Sequence, residues 1–271
     1  MGWLVSLLTG VLFSAAAVAL VLTTYALARR FMPEQDDKTA DAASSIGFRI
    51  AALHGLILAL VYAQELDDYK TVRQILTNEA VAIADIFNDM RRYGGAEVET
   101  VQAGLADYLQ IAAIDELGSL GDGDGLLLAG WRRWENVYEN LLNLEPENER
   151  QRFLQQTMLD RSKQIASFRQ QREAAASDNY SSLFWGPAII GVILLAIPYY
   201  VFRPTRSHLF LLGVFGLYSG VILFFIYAFA NPFREPGKLI APTMNELLDG
   251  EIGAAQRLST LRLEECSIAI G

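Results

Sequence analysis

LVSLLTGVLFSAAAVALVLTTYALA, residues 4–28, runs for 25 positions without an Asp, Glu, Lys, Arg or His. A helix of about 20 apolar residues crosses roughly 30 Å of hydrocarbon, so this stretch predicts a membrane span. Three more apolar stretches follow: Ile46 to Ala63, Leu183 to Phe202 and Leu209 to Ala230. They stand two and two around a polar middle. The expected fold is therefore all-α, with four transmembrane helices and a large helical soluble domain between the second and third. By residue number this gives a first hairpin over 1–63, a helical domain over 64–180, a second hairpin over 181–230, and a C-terminal segment over 231–271 at the membrane interface.

The first stretch is longer than the 7 to 15 residues of a signal-peptide core, and no Lys or Arg precedes it. Arg29 and Arg30 follow at once, which predicts a retained anchor. The short loops carry Arg29, Arg30 and Lys38, then Arg203 and Arg206. By the positive-inside rule these loops are cytoplasmic, and the middle domain faces the periplasm or exterior of a bacterial inner membrane.

Apolar residues make up 52% of the chain, between the levels of a soluble enzyme and of a protein built wholly in the bilayer. Between Gln64 and Tyr180 there are 12 Lys and Arg against 21 Asp and Glu, a net of −9. Such a surface repels nucleic acid. One cysteine, Cys266, and two histidines, His54 and His208, are too few for a Cys/His zinc site within one chain. Phosphate loops and dinucleotide fingerprints are absent, so neither a metal, nor a cofactor, nor an enzymatic activity is expected.

Helical periodicity fills the middle domain. Leu76, Ala80, Ile83, Phe87 and Met90 form one apolar stripe, and Val98, Val101, Leu105, Tyr108 and Ala112 another after the Gly94-Gly95 break. Leu127, Trp131, Trp134, Tyr138 and Leu141 form a third, and a last helix is expected near Asn148 to Ala176. Trp131 and Trp134 are candidates for a partner or lipid interface as well as for the domain core. Gly121 to Gly125 resembles a calcium loop, but Leu126 and Arg133 stand where oxygen ligands are needed, which predicts a turn.

Within the spans, Arg49 and His54 are the ionisable side chains, and intramembrane charge marks a candidate pore or sensing site. Arg49 lies close enough to its helix start to reach the interface. Gly213, Gly216 and Gly220 in the fourth span allow a neighbouring helix to approach closely. After it, Pro232 ends the helix, and Thr243 with Glu246 predicts a capping box for an amphipathic helix carrying Met244, Leu247, Leu248 and Ile252.

Asn231-Pro232-Phe233 after the last span, His54-Gly55 in the second, Asn78-Glu79-Ala80 after it and Phe184-Trp185 opening the third resemble, in order and spacing, the bacterial bestrophin-like membrane proteins. The resemblance covers Ile46 to about Leu248. It implies an oligomeric channel, because bestrophins are pentameric anion channels with four spans and a large helical soluble part. The leading expectation is a homo-oligomeric ion channel, anions included, whose second span lines the pore. The alternative is a non-conducting accessory or sensor subunit of another membrane complex, docking a partner through the helical domain.

Overall fold

The computed structural model describes residues 2–32, 37–177, 181–255 and 257. Among these residues every regular element is helical. In chain order they are α1 (Gly2–Phe31), α2 (Asp37–Tyr93), α3 (Val98–Gln110), a π turn (Ile111–Asp115), α4 (Glu116–Asp122) and α5 (Leu128–Leu142). Then follow α6 (Glu149–Ser177), α7 (Ser181–Ala196) with a 3-10 extension (Ile197–Val201), α8 (Arg206–Ala230) and α9 (Pro242–Asp249). The described residues form two compact units, those within 1–69 and 178–238, and those within 70–177 and 239–257.

Three described helices are long and apolar enough to cross a membrane: α1, α2 from Thr39, and α8. The third apolar stretch is shorter. Its α-helix ends at Ala196 and tightens into the 3-10 turn that carries Pro198. Proline has no N–H to donate back to the preceding turn, which weakens the ladder at Pro198, whereas α7 carries Pro187 in its interior without ending there.

The second apolar stretch does not end where its apolar composition ends. It belongs to one helix of 57 residues that runs on without a break. From Ala63 to Tyr93 the sequence has neither Gly nor Pro to stop it. A single buried stripe, Gly47, His54, Leu58, Val61, Glu65, Val72, Leu76, Glu79, Ile83, Ile86 and Met90, keeps the spacing of threes, fours and sevens along its length. Both halves of the helix thus obey one pattern, although one half is apolar and the other mixed.

In the first unit α1 packs along α8. A side-chain carbon at Gly220 would lie 2.6 Å from Ser14 Cα, and one at Gly216 2.8 Å from Val18 Cα. Only hydrogen at these positions lets the two backbones meet. At the other end of α1, Tyr25 Oη donates to the carbonyl of Phe202 at 2.8 Å, and Arg29 Nη1 donates to the carbonyls of Tyr200 and Phe202 at 3.3 and 3.0 Å. These are carbonyls left open at the end of the 3-10 turn, where a cation is also favoured by the helix dipole. Thr205 caps α8 by accepting from the His208 amide at 3.2 Å. Beyond α8, Asn231 Oδ1 accepts from the Phe233 amide at 3.0 Å, and Phe233 is buried.

In the second unit the Gly94-Gly95 turn has positive φ at both residues (76° and 95°), which glycine adopts without strain. Gly123, at φ 87°, closes α4 and makes the Gly121–Gly125 segment a helix stop. The capping box expected at Thr243 does not form. The helix begins at Pro242, preceded by Ala241, with no side-chain cap. Proline's fixed φ suits the first helical position, which moves the start one residue ahead of Thr243. Met244 and Ile252 of this segment are buried.

Candidate functional site

Each span position singled out in the sequence occupies a distinct place. His54 is 5% exposed and lies on the buried stripe of α2. Its imidazole sits over Gly191 of α7. A side-chain carbon there would overlap His54 Nδ1 and Cε1 and lie 2.8 Å from Cγ. Neither ring nitrogen has a hydrogen-bond partner among the described residues. Arg49 is exposed. Five residues apart on a helix is about 140° of rotation, so the two side chains cannot share one face. His54 faces the neighbouring helices and Arg49 faces away from them.

Gly191 was not singled out by the sequence, yet it forms the notch that admits the ring. Gly191→Ala should destabilise the protein by about 1–3 kcal/mol, the usual range for overpacking. A double substitution with His54→Ala should recover most of the loss. Unfolding of the four proteins in detergent checks this as a double-mutant cycle, with about 0.5–3 kcal/mol of coupling expected.

In the second unit a group of charges is wholly enclosed. The side chains of Glu79, Glu116, Arg169 and Arg172 are 0% exposed. Arg172 lies at the centre. Its Nε is 3.0 Å from Glu79 Oε2, and its Nη2 donates to Glu79 Oε1 and Glu116 Oε2, each at 3.1 Å. Its Nη1 donates to the Ala112 carbonyl in the π turn at 3.4 Å. A π turn leaves its carbonyls offset from the α ladder, which makes one available to a side chain. Arg169 pairs with Glu116 and donates to the Leu127 carbonyl at 3.3 Å. Its guanidinium lies 4.2 Å from the centre of the Trp131 ring and 5.6 Å from that of Tyr108. Tyr108 donates its hydroxyl proton to Glu79 Oε1.

Two carboxylates and two guanidiniums leave the group neutral overall, and it joins α2, α3, α4, α5 and α6. Burial raises the Glu79 pKa above the ordinary carboxylate value, against the opposing pull of Arg172 and the Tyr108 hydrogen bond. Burial, reinforced by the Glu79 charge, pushes the Tyr108 hydroxyl well up. For Arg172 burial acts downward, and the negative charge of Glu79 with Tyr108 and Glu116 outweighs it, so the net direction is upward.

The family model of the bestrophin-like domain matches residues 15–236. The chain belongs to the bestrophin-like family. Its fold is similar to that of a bacterial bestrophin homologue from Klebsiella pneumoniae, solved as a point mutant. The TM-score is 0.54 over 95% of this chain and 97% of that one, at 15% sequence identity. No curated protein matches the chain. Family membership and the apolar helices make this bestrophin-like chain a membrane protein.

The remaining candidates lie as follows in this bestrophin-like fold. Trp131 and Trp134 are half-buried and turned toward α6. Trp131 covers Arg169, and Trp134 Nε1 donates to the Ser162 carbonyl at 2.8 Å. Trp131 and Trp134 meet edge to face at 5.7 Å. Gly216 and Gly220 lie against α1, whereas a side-chain carbon at Gly213 would meet open space. His208 stands among the rings of Tyr25, Tyr199 and Phe202. Cys266 lies outside the described residues. Among the described residues no three His, Cys, Asp or Glu side chains converge as a metal site.

The charge group escaped the sequence reading, although a signal was there. Leu154, Met158, Ser162, Ile165, Arg169 and Arg172 are the buried residues of α6, spaced four, four, three, four and three apart. Two arginines continue an apolar stripe, which means that they point inward.

Proposed function

We propose that this chain is the subunit of a homo-oligomeric, four-span ion channel in a bacterial inner membrane, with α2 lining the pore and anions as the conducted species. The family match over residues 15–236 carries this reading. Arg49 supports it: it is an exposed cation within the span, and a ring of such side chains around an oligomer axis favours anions. His54 then acts from behind the pore-facing side by fixing α2 against Gly191. In this reading α7 with its 3-10 extension is the third span, tilted or shortened relative to the others. The arginines of the two short loops favour the cytoplasm for those loops and the outer side for the helical domain. Labelling of single cysteines engineered into that domain, in intact cells, tests the orientation.

Arg49→Ala tests the pore assignment. In liposomes holding the purified protein, the chloride-to-potassium permeability ratio should fall by roughly tenfold, equivalent to about 1.4 kcal/mol. This lies within the range for one charge near a protein surface. An unchanged ratio would remove α2 from the selectivity-determining part of the pore.

A further inference from the structure

We infer that the end of the first unit where α1 meets the turn between α7 and α8 binds an anionic phospholipid. Arg29, Arg203 and Arg206 hold its phosphodiester, and the exposed apolar residues beside them take its acyl chains. The inference needs only that the chain lies in a membrane, and it stands whether or not the protein conducts ions.

The fold brings these arginines together. Arg29 lies in the last turn of α1, and its Nη1 is fixed on the carbonyls of Tyr200 and Phe202 at 3.3 and 3.0 Å. Arg203 follows Phe202 directly. The Thr205 amide donates to the Arg203 carbonyl at 2.8 Å, a tight turn that sets Arg206 at the first position of α8. A guanidinium from α1 thus stands at the root of the turn from which two more project. The rule that places arginines in cytoplasmic loops concerns only their number. It does not require that one of them be fixed on the turn that carries the others.

The charge at this end is uncompensated by the helices that hold it. Residues 2–32 and 181–230 contain no Asp or Glu. Arg203 and Arg206 are exposed, and among the described residues none of the three arginines pairs with a carboxylate. Guanidinium forks match the paired oxygens of a phosphate, and basic pockets between spans suit anionic headgroups. The depth is also right. Tyr25, Tyr199 and Tyr200 stand at the same end, as rings with polar tips do at a membrane–water interface. Leu27, Phe31, Leu209 and Phe210, within four positions of the arginines, expose large apolar side chains. A free phosphate ion gains nothing from that surface, whereas acyl chains cover it.

Native mass spectrometry of the full chain in detergent, titrated with phosphatidylglycerol or phosphatidylcholine of the same acyl chains, tests this. The wild type should retain phosphatidylglycerol in preference. Arg203→Gln,Arg206→Gln removes exposed side chains and should weaken that retention by about thirtyfold, roughly fivefold for each arginine. Arg91→Gln,Arg152→Gln removes the same charge from the helical domain and should leave it unchanged. Inorganic phosphate in large excess should not displace the lipid. Equal retention of the two lipids, or unaltered retention in Arg203→Gln,Arg206→Gln, would overturn the inference. So would an equal loss in both double variants, which would reflect net charge alone, or displacement by inorganic phosphate, which would make this a site for the free ion.

Discussion

Arg172→Ala is expected to destabilise the helical domain by about 3–5 kcal/mol, the range for removing one partner of a buried ion pair. Arg172 is the link between Glu79 and Glu116, and all three side chains are 0% exposed. Without it two carboxylates share an enclosed site with one guanidinium, and the Ala112 carbonyl loses its donor. The size of the effect comes from the stranded charge more than from the lost contact, since well-formed buried pairs contribute little net stability. The loss should therefore be smaller in Arg172→Ala,Glu79→Gln, where one charge of each sign is gone. Unfolding of the full chain in detergent measures both. Arg91→Ala is the surface comparison: its contact with Glu251 is largely exposed, and no resolvable change is expected. An Arg172→Ala protein as stable as Arg91→Ala would mean that the four charges are not enclosed together.

Gly220→Ala and Gly213→Ala should act in opposite directions, though both put the same methyl group on the same helix. At Gly220 the added carbon would lie 2.6 Å from Ser14 Cα and 2.9 Å from the Phe13 carbonyl oxygen. These are backbone atoms, which cannot rotate away, so α1 and α8 must separate. A loss of about 1–3 kcal/mol is expected, and Gly220→Val should lose more. At Gly213 the carbon meets nothing within 4 Å. There the gain is that of alanine over glycine in a helix interior, up to about 1 kcal/mol. Thermal unfolding in one detergent decides between them; equal shifts would contradict the close α1–α8 crossing.

Much of the fold was legible because apolar length and helical period are local signals. The stripe from Leu76 to Met90 is buried throughout, and that from Val98 to Ala112 is buried from Val101 onward. The unbroken α2 was harder to see, because the change from apolar to acidic composition near Gln64 looks like a boundary. Composition changes there while the 3.6-residue period does not. Thr243 misled for a related reason: the capping pattern was present, but proline one residue earlier is already suited to start the helix.

The site was much less legible. His54 and Arg49 stood out as ionisable groups in apolar sequence. That one faces the bundle and the other faces outward depends on where α7 lies. Glu79, Glu116, Arg169 and Arg172 come together from three helices across as many as 93 positions of sequence. No local pattern contains that closure. Only the spacing of the two arginines along the buried face of α6 pointed to it. The tryptophan pair was a candidate for the domain core as well as for a partner's surface; one ring covers a buried guanidinium and the other bonds α6.

The central claim, that copies of this chain form an ion-conducting pore, is tested most directly by electrical recording from the purified wild-type protein in planar bilayers. Discrete current steps whose reversal potential follows the chloride gradient are the predicted result. Folded, oligomeric protein that incorporates into the bilayer and carries no current under chloride or potassium gradients would contradict it.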